Sequence, residues 1–169
     1  TTTTTTTTAT VTTTQRPAPP MTITVYRVDN GLLRPEVERV PRTQAVAAAS
    51  LRALGIDAPV TISGGTAAVE LEKATQDEAA EIVYTLTQFP SVERVDVGGR
   101  SGLTRDDFAS YQPPILVDTP AAGADVGRTF RVAGTASVFE ATLVVQLVRD
   151  GTVLQKETVT ASEGAPGRG

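Results

Sequence analysis

The chain has 169 residues, with 15 Lys and Arg against 19 Asp and Glu, a formal net charge of −4, and no histidine, cysteine or tryptophan. Histidine is the usual general base near neutral pH and, with cysteine, the usual ligand for zinc or iron, so Ser-His-Asp and Cys-His nucleophilic sites, His/Cys metal centres and disulfides are excluded. An all-carboxylate calcium or glycosidase site stays open, whereas a nucleic-acid partner lacks its basic, aromatic-interleaved patch and no apolar run approaches membrane-spanning length.

Eight threonines open the chain, and the proline-rich QRPAPP of Gln15–Pro20 follows. Such a segment buries too little apolar area to offset its ordering entropy, so residues 1–20 are expected to be a disordered or extended Thr/Pro-rich spacer. The first residue is Thr and no signal peptide precedes the spacer, the form expected of a processed or cropped chain.

Met21 to Val28 alternates, with Ile23 and Val25 on one face and Thr22, Thr24 and Tyr26 on the other, which predicts a strand. Asp29-Asn30-Gly31 turns the chain, and Val37 to Val40 reads as a second, short strand. Thr43 is the expected N-cap of a helix carrying Ala47, Leu51 and Leu54 on one stripe, closed by Gly55. Val60 to Leu71 reads as two strands joined across Ser63-Gly64-Gly65. Thr75 and Glu78 have capping-box spacing ahead of a helix over Gln76–Gln88, whose Ala79, Ile82, Val83 and Leu86 form an apolar stripe. Pro90 stops that helix, Val92, Val95 and Val97 begin the next strand, and Gly98-Gly99 ends it or starts another turn. This order predicts an α+β unit, a small sheet with two helices on one face. Further on, Leu143, Val145 and Leu147 alternate with Val144, Gln146 and Val148, and Arg149-Asp150-Gly151 turns into a second β-rich run from Thr152 to Thr160. That is a β-hairpin.

Two stretches carry family resemblances. ILVDTP (Ile115–Pro120), RVAGTA (Arg131–Ala136), then SVFEATLVVQL and ASEGAPGRG resemble the immunoglobulin-like domain of bacterial spore-germination proteins. TVYRV near the start and EIVYTLTQFPSVERVDV (Glu81–Val97) resemble the GerMN domain of sporulation and germination proteins. The family pattern is shortened here between the two helices. Together the resemblances divide the chain into a spacer (1–20), a GerMN-like α+β domain (21–104), an interdomain linker (105–113) and an immunoglobulin-like β domain (114–169). The last offers about four strands where a sandwich needs about seven, so a partial β-sandwich is expected, incomplete at its C-terminus and cut from a longer protein. Its apolar strand Leu143–Val148 is then expected to lie uncovered.

Several residues invite reading as sites. Asp106-Asp107 are adjacent carboxylates, but a glycosidase pair needs two carboxyls held apart across a cleft. Glu70 and Glu72 share a strand face by period, where a solvated face is preferred to a cation site. Ser63-Gly64-Gly65 lacks the context of a phosphate loop or nucleophile elbow and reads as a turn. Glu140 of VFEA reads as a structural or solvent-facing charge on an apolar strand. No catalytic, cofactor-binding or metal-ligating residue is assigned. The resemblances imply a non-enzymatic, extracytoplasmic interaction module of a lipid-anchored envelope protein, without cofactor, whose partners are envelope or sporulation proteins, copies of itself included. The alternative is a cell-wall hydrolase or a carbohydrate-binding accessory domain that uses carboxylates.

Overall fold

The structure, a computed structural model, describes residues 19–169; the expected spacer up to residue 18 lies outside them. Strand β1 (Met21–Asp29) turns at Asn30-Gly31 into β2 (Leu32–Val40), with Asp29 opposite Leu32. Both turn residues hold positive φ, 51° and 78°, the two-residue geometry whose twist matches the flanking strands. β2 starts well before Val37 and runs through Pro35. Pro35 stands opposite Tyr26, whose N–H points away from the β1–β2 ladder, so Pro35 lacks a donor only on the outer edge. Two-residue turns of the same kind join β3 (Val60–Ser63) to β4 (Thr66–Val69) and β5 (Arg94–Val97) to β6 (Arg100–Leu103). Gly98-Gly99 thus starts a turn, one of the two expectations for it, and β6 follows as an additional strand.

Helix α1 (Val46–Ala53) begins later than Thr43 implied. The Thr43 hydroxyl accepts a bond from the Ala45 N–H at 3.0 Å, so it turns the approach to the helix, and Ala45 at the cap has no side-chain bond. At the other end Gly55 N–H donates to Arg52 O and Ile56 N–H to Leu51 O, the paired bonds of a Schellman ending with Gly55 at φ 88°. Helix α2 (Gln76–Leu86) has the expected capping box: Glu78 N–H donates to Thr75 Oγ1 at 3.1 Å and Thr75 N–H to Glu78 Oε2 at 2.8 Å. Its stripe is buried as expected, and Ala80, Tyr84 and Thr85 are buried as well. The helix is enclosed on nearly every side.

That enclosure comes from how the strands divide. The four-stranded sheet runs β3-β4-β5-β6, with β4 and β5 parallel and α2 in the crossover between them. β1 and β2 form a separate two-stranded sheet. The α+β class expected from the sequence holds, but its strands make several small sheets where one was expected. The free edge of β1 is occupied by α2 instead of a strand. Tyr26 N–H donates to Thr85 Oγ1 at 2.9 Å, Val28 N–H to Glu81 Oε1 at 2.7 Å, and Gln88 Nε2 to Thr24 O at 2.8 Å. Outward-facing groups on one edge recur roughly every 6.8 Å along a strand. Glu81 and Thr85, four apart on the helix, recur about 6 Å apart, close enough to match that spacing, and the longer Gln88 side chain reaches the third group. Tyr26, on the face read as polar, is therefore buried to 3% exposure beside the helix.

Residues 105–113, expected as a linker, begin instead with a 3-10 segment (Arg105–Tyr111) that belongs to the core: Phe108 is fully buried and packs on Tyr111. Asp107 closes its start, accepting from both the N–H and the hydroxyl of Thr104. Strand β7 (Ile115–Thr119) pairs antiparallel with β8 (Ala133–Ala136), and β9 (Thr142–Arg149) with β10 (Thr152–Thr160) across Asp150-Gly151. These four strands make two two-stranded sheets around an apolar cleft of 670 Å³, lined by Ile115, Val117, Phe130, Leu143, Val145 and Leu147 among others. The uncovered Leu143–Val148 stretch is as expected, with Val144, Leu147 and Val148 exposed. VFEA is not strand. Phe139–Ala141 form a tight turn with Glu140 and Ala141 at positive φ, since Ala141 N–H closes back on Val138 O.

The burial pattern predicts an order of costs in urea unfolding. Ile82→Ala should cost about 2–5 kcal/mol through the cavity it leaves, and Thr75→Ala about 1 kcal/mol through the lost cap. Thr85→Val keeps the shape but orphans the buried Tyr26 N–H, and should cost about 1–3 kcal/mol. A Thr85→Val variant as stable as the parent would mean that α2 does not close the β1 edge. Gly134→Ala should be worse tolerated than Gly151→Ala, because an added Cβ at Gly134 would overlap the Leu116 carbonyl across the β7–β8 pair while nothing lies near Gly151.

Candidate functional site

A mainly polar concavity of 730 Å³ lies where the α+β unit meets β7. Thr24 and Tyr26 come from β1, Thr87 and Gln88 from the end of α2, Arg105 and Asp106 from the 3-10 segment, and Asp118 and Thr119 from β7. Arg105 is its centre. The guanidinium carbon lies 4.7 Å from the Tyr84 ring centroid and 5.3 Å from that of Tyr26, so it stacks against both aromatic rings. Its Nε donates to Thr87 Oγ1 at 2.9 Å and its Nη2 to the Tyr84 carbonyl at 3.2 Å. The Thr87 hydroxyl donates in turn to Val83 O at 2.7 Å. Arg105 thus ties the 3-10 segment to the last turn of α2.

The rings are fixed from their far ends. Tyr26 OH donates to Asp118 Oδ1 at 2.5 Å, and Gln112 Nε2 donates to Tyr84 OH. Burial, then the hydrogen bond to Asp118 and its charge, push the Tyr26 phenol well above the ordinary tyrosine value, with Arg105 opposing. Burial likewise raises Tyr84, against the Gln112 bond and the Arg105 charge. Glu81, on the β1 edge, is raised chiefly by burial and pulled back by its bond from the Val28 N–H. Among the described residues of this concavity, the Tyr26 hydroxyl and the Asp118 carboxylate bind each other, and two of the Arg105 nitrogens are held by α2 and its C-cap.

The residues weighed from the sequence fall elsewhere or into plain roles. Asp107 accepts from the Thr104 N–H at 2.7 Å and from its hydroxyl at 3.0 Å, bonds that hold its carboxyl below the usual range. Asp106 is exposed at the cleft rim, so the adjacent pair is split between a cap and solvent. Glu70 and Glu72 lie past the end of β4 and share no strand face, because Leu71 N–H turns back to Val69 O. Ser63-Gly64-Gly65 is a hairpin turn whose Gly65 carbonyl receives Glu93 N–H and Arg94 N–H. Glu140 sits in the VFEA turn, exposed. The Tyr26–Arg105–Tyr84 stack went unseen in the sequence; aromatic residues in a chain only 4% aromatic were the available signal.

The fold defines a two-part α+β protein whose second part is an open β-sandwich. Residues 114–169 match the family model of the immunoglobulin-like domain of bacterial spore germination. The order expected from the sequence, a GerMN-like unit ahead of an immunoglobulin-like domain, has its second member in this match. No curated protein matches the chain. Among solved structures it is similar to the tandem GerMN domains of the sporulation protein GerM from Bacillus subtilis, at 16% identity and a TM-score of 0.42. That similarity covers 83% of this chain and 60% of the other, so the chain spans under two thirds of that relative's length. Among the described residues no helix is long and apolar enough to cross a membrane.

A raised phenol binds its proton more tightly folded than unfolded. Its contribution is therefore complete below the unfolded tyrosine pKa of about 10 and is lost as pH rises through the folded value. Urea unfolding between about pH 9 and 11 should show stability falling with pH, and falling less steeply in Tyr26→Phe. Equal slopes would mean that the Tyr26 phenol is not held buried against Asp118 in solution. Asp107 works in the opposite sense, its contribution being lost as pH falls through its lowered folded pKa.

Proposed function

We propose that this chain is a non-catalytic, extracytoplasmic interaction module of an envelope-associated sporulation or germination protein, its α+β unit being GerMN-like. The observation that carries the reading is the match of residues 114–169 to the immunoglobulin-like domain of bacterial spore germination. The relative named above is a sporulation protein by its description. The junction cleft supports the reading in a second way, since its arginine, tyrosines and Asp118 are spent on holding two parts of the chain together. Recognition then falls to surfaces, and the partners are envelope or sporulation proteins, copies of this protein included. The Thr/Pro-rich spacer would hold the folded part away from a lipid anchor placed upstream.

The full-length protein is the object to test. Pull-down from envelope extracts, with light scattering at rising concentration, should retrieve a specific envelope partner or show self-association. A strict monomer that retrieves nothing would overturn the proposal. So would turnover of peptidoglycan or glycoside substrates that disappears in Asp106→Asn or Asp107→Asn.

A further inference from the structure

We infer that residues 115–122 are a strap that fastens the immunoglobulin-like part to the α+β unit at a fixed angle, with the Tyr26–Asp118 bond as its clasp. Domains within one chain ordinarily move against each other unless a large or hydrophobic interface stops them. Three kinds of contact cross this one. Leu116 is 3% exposed and belongs to the same buried cluster as Leu33, Tyr84 and Phe108, all residues of the first unit. Its side chain completes that core.

The second contact is backbone pairing. Ala122 N–H donates to Pro35 O at 3.0 Å and Val37 N–H donates to Ala122 O at 2.9 Å. Glu36 and Ala122 form a parallel bridge, so the strap covers the outer edge of β2 as α2 covers that of β1. Bonds of this kind fix direction, because both a donor and an acceptor must stay aligned. The third contact is the clasp. The Tyr26 ring is tilted against Tyr84 at 5.5 Å and lies beside Arg105, which leaves its hydroxyl one direction in which to reach Asp118. An exposed ion pair, Arg39 to Asp125 at 3.1 Å, adds little.

The root of the strap is held to the other side as firmly. Arg168 Nη2 donates to Pro113 O at 2.8 Å, and Ser137 N–H donates to Pro114 O at 2.8 Å. Its length pairs with β8. Strand β7 is therefore shared: one edge serves the sandwich while Leu116 and Asp118 serve the α+β unit. A boundary drawn before residue 114 separates a core residue from its core.

The chain has no cysteine, so two introduced ones can be spin-labelled without background. Thr61→Cys and Phe139→Cys place labels on exposed residues of the two parts. In the chain of this sequence the distance distribution between them should be a single narrow peak. Leu116→Ala with Asp118→Ala should broaden or shift that peak, and each change alone should do so less. A broad distribution in the parent would overturn the inference, as would an unchanged peak in the double variant. If the double variant fails to fold, amide exchange of the parent decides: the Ala122 and Val37 N–H groups should be protected together. Free exchange at Ala122 would sink the strap.

Discussion

Thr24, Tyr26 and Val28 present backbone groups along the free edge of β1, and Gln88 just beyond α2, with Thr85 and Glu81 of α2, meet them one for one. A buried backbone donor left without a partner costs about 1–3 kcal/mol, so the alignment of these three rungs constrains where the helix can sit. The rest of the α+β unit is arranged around it. Held edge-on to β1, α2 keeps its aliphatic stripe free for the core it shares with Leu51 of α1 and Val95 of β5. A helix lying on the face of a continuous sheet would have left one side in water. This one has none to spare, which is why Ala79, Ala80, Thr85 and Leu86 are all fully buried. The Glu81 carboxyl bears some cost, since burial disfavours its charge while the Val28 N–H and the nearby Arg27 compensate.

The junction cleft illustrates how a polar concavity can be structural. A guanidinium between two aromatic rings, with two donors anchored on a helix terminus, resembles a recognition pocket in composition. Its connectivity says otherwise. The contacts of Arg105, Tyr26, Tyr84 and Asp118 lead from one part of the chain to another: the Tyr26 phenol reaches Asp118 of the second part, and that of Tyr84 meets Gln112 in the segment before it. Where catalysis is concerned, a residue type in a hollow means little until its hydrogen-bonding capacity has been counted.

Elements governed by local chemistry were legible. Asn30-Gly31, Gly64-Gly65 and Asp150-Gly151 each specify a two-residue turn, and Thr75 with Glu78 marks the start of α2. What escaped the sequence was set by partners far along the chain. Tyr26 alternates with Val25 and so read as surface, yet both faces of β1 are covered because Arg105, Tyr84 and Asp118 arrive from 58 or more positions away. β6, with Arg100, Ser101 and Gly102, shows no apolar alternation, and only its pairing with β5 makes it a strand. VFEA looks like strand by composition, but two successive residues at positive φ form a turn no periodicity would show. The 105–113 stretch reads as polar linker apart from Phe108, and that one ring is enough to seat it in the core.

β10 does not pair evenly with β9: the register slips between Val153 and Gln155, leaving Leu154 as an extra residue. Such a bulge increases local twist and interrupts the row of evenly spaced amides and carbonyls that another strand would need. The hairpin carries Val144, Val148, Val153, Leu154 and Val159 in exposed positions, a composition that would favour edge-to-edge polymerisation if the edge were flat. With Lys156 two residues beyond the bulge, β10 resists that fate by geometry and by charge. A surface apolar enough to associate is thereby kept from becoming a template for indefinite growth.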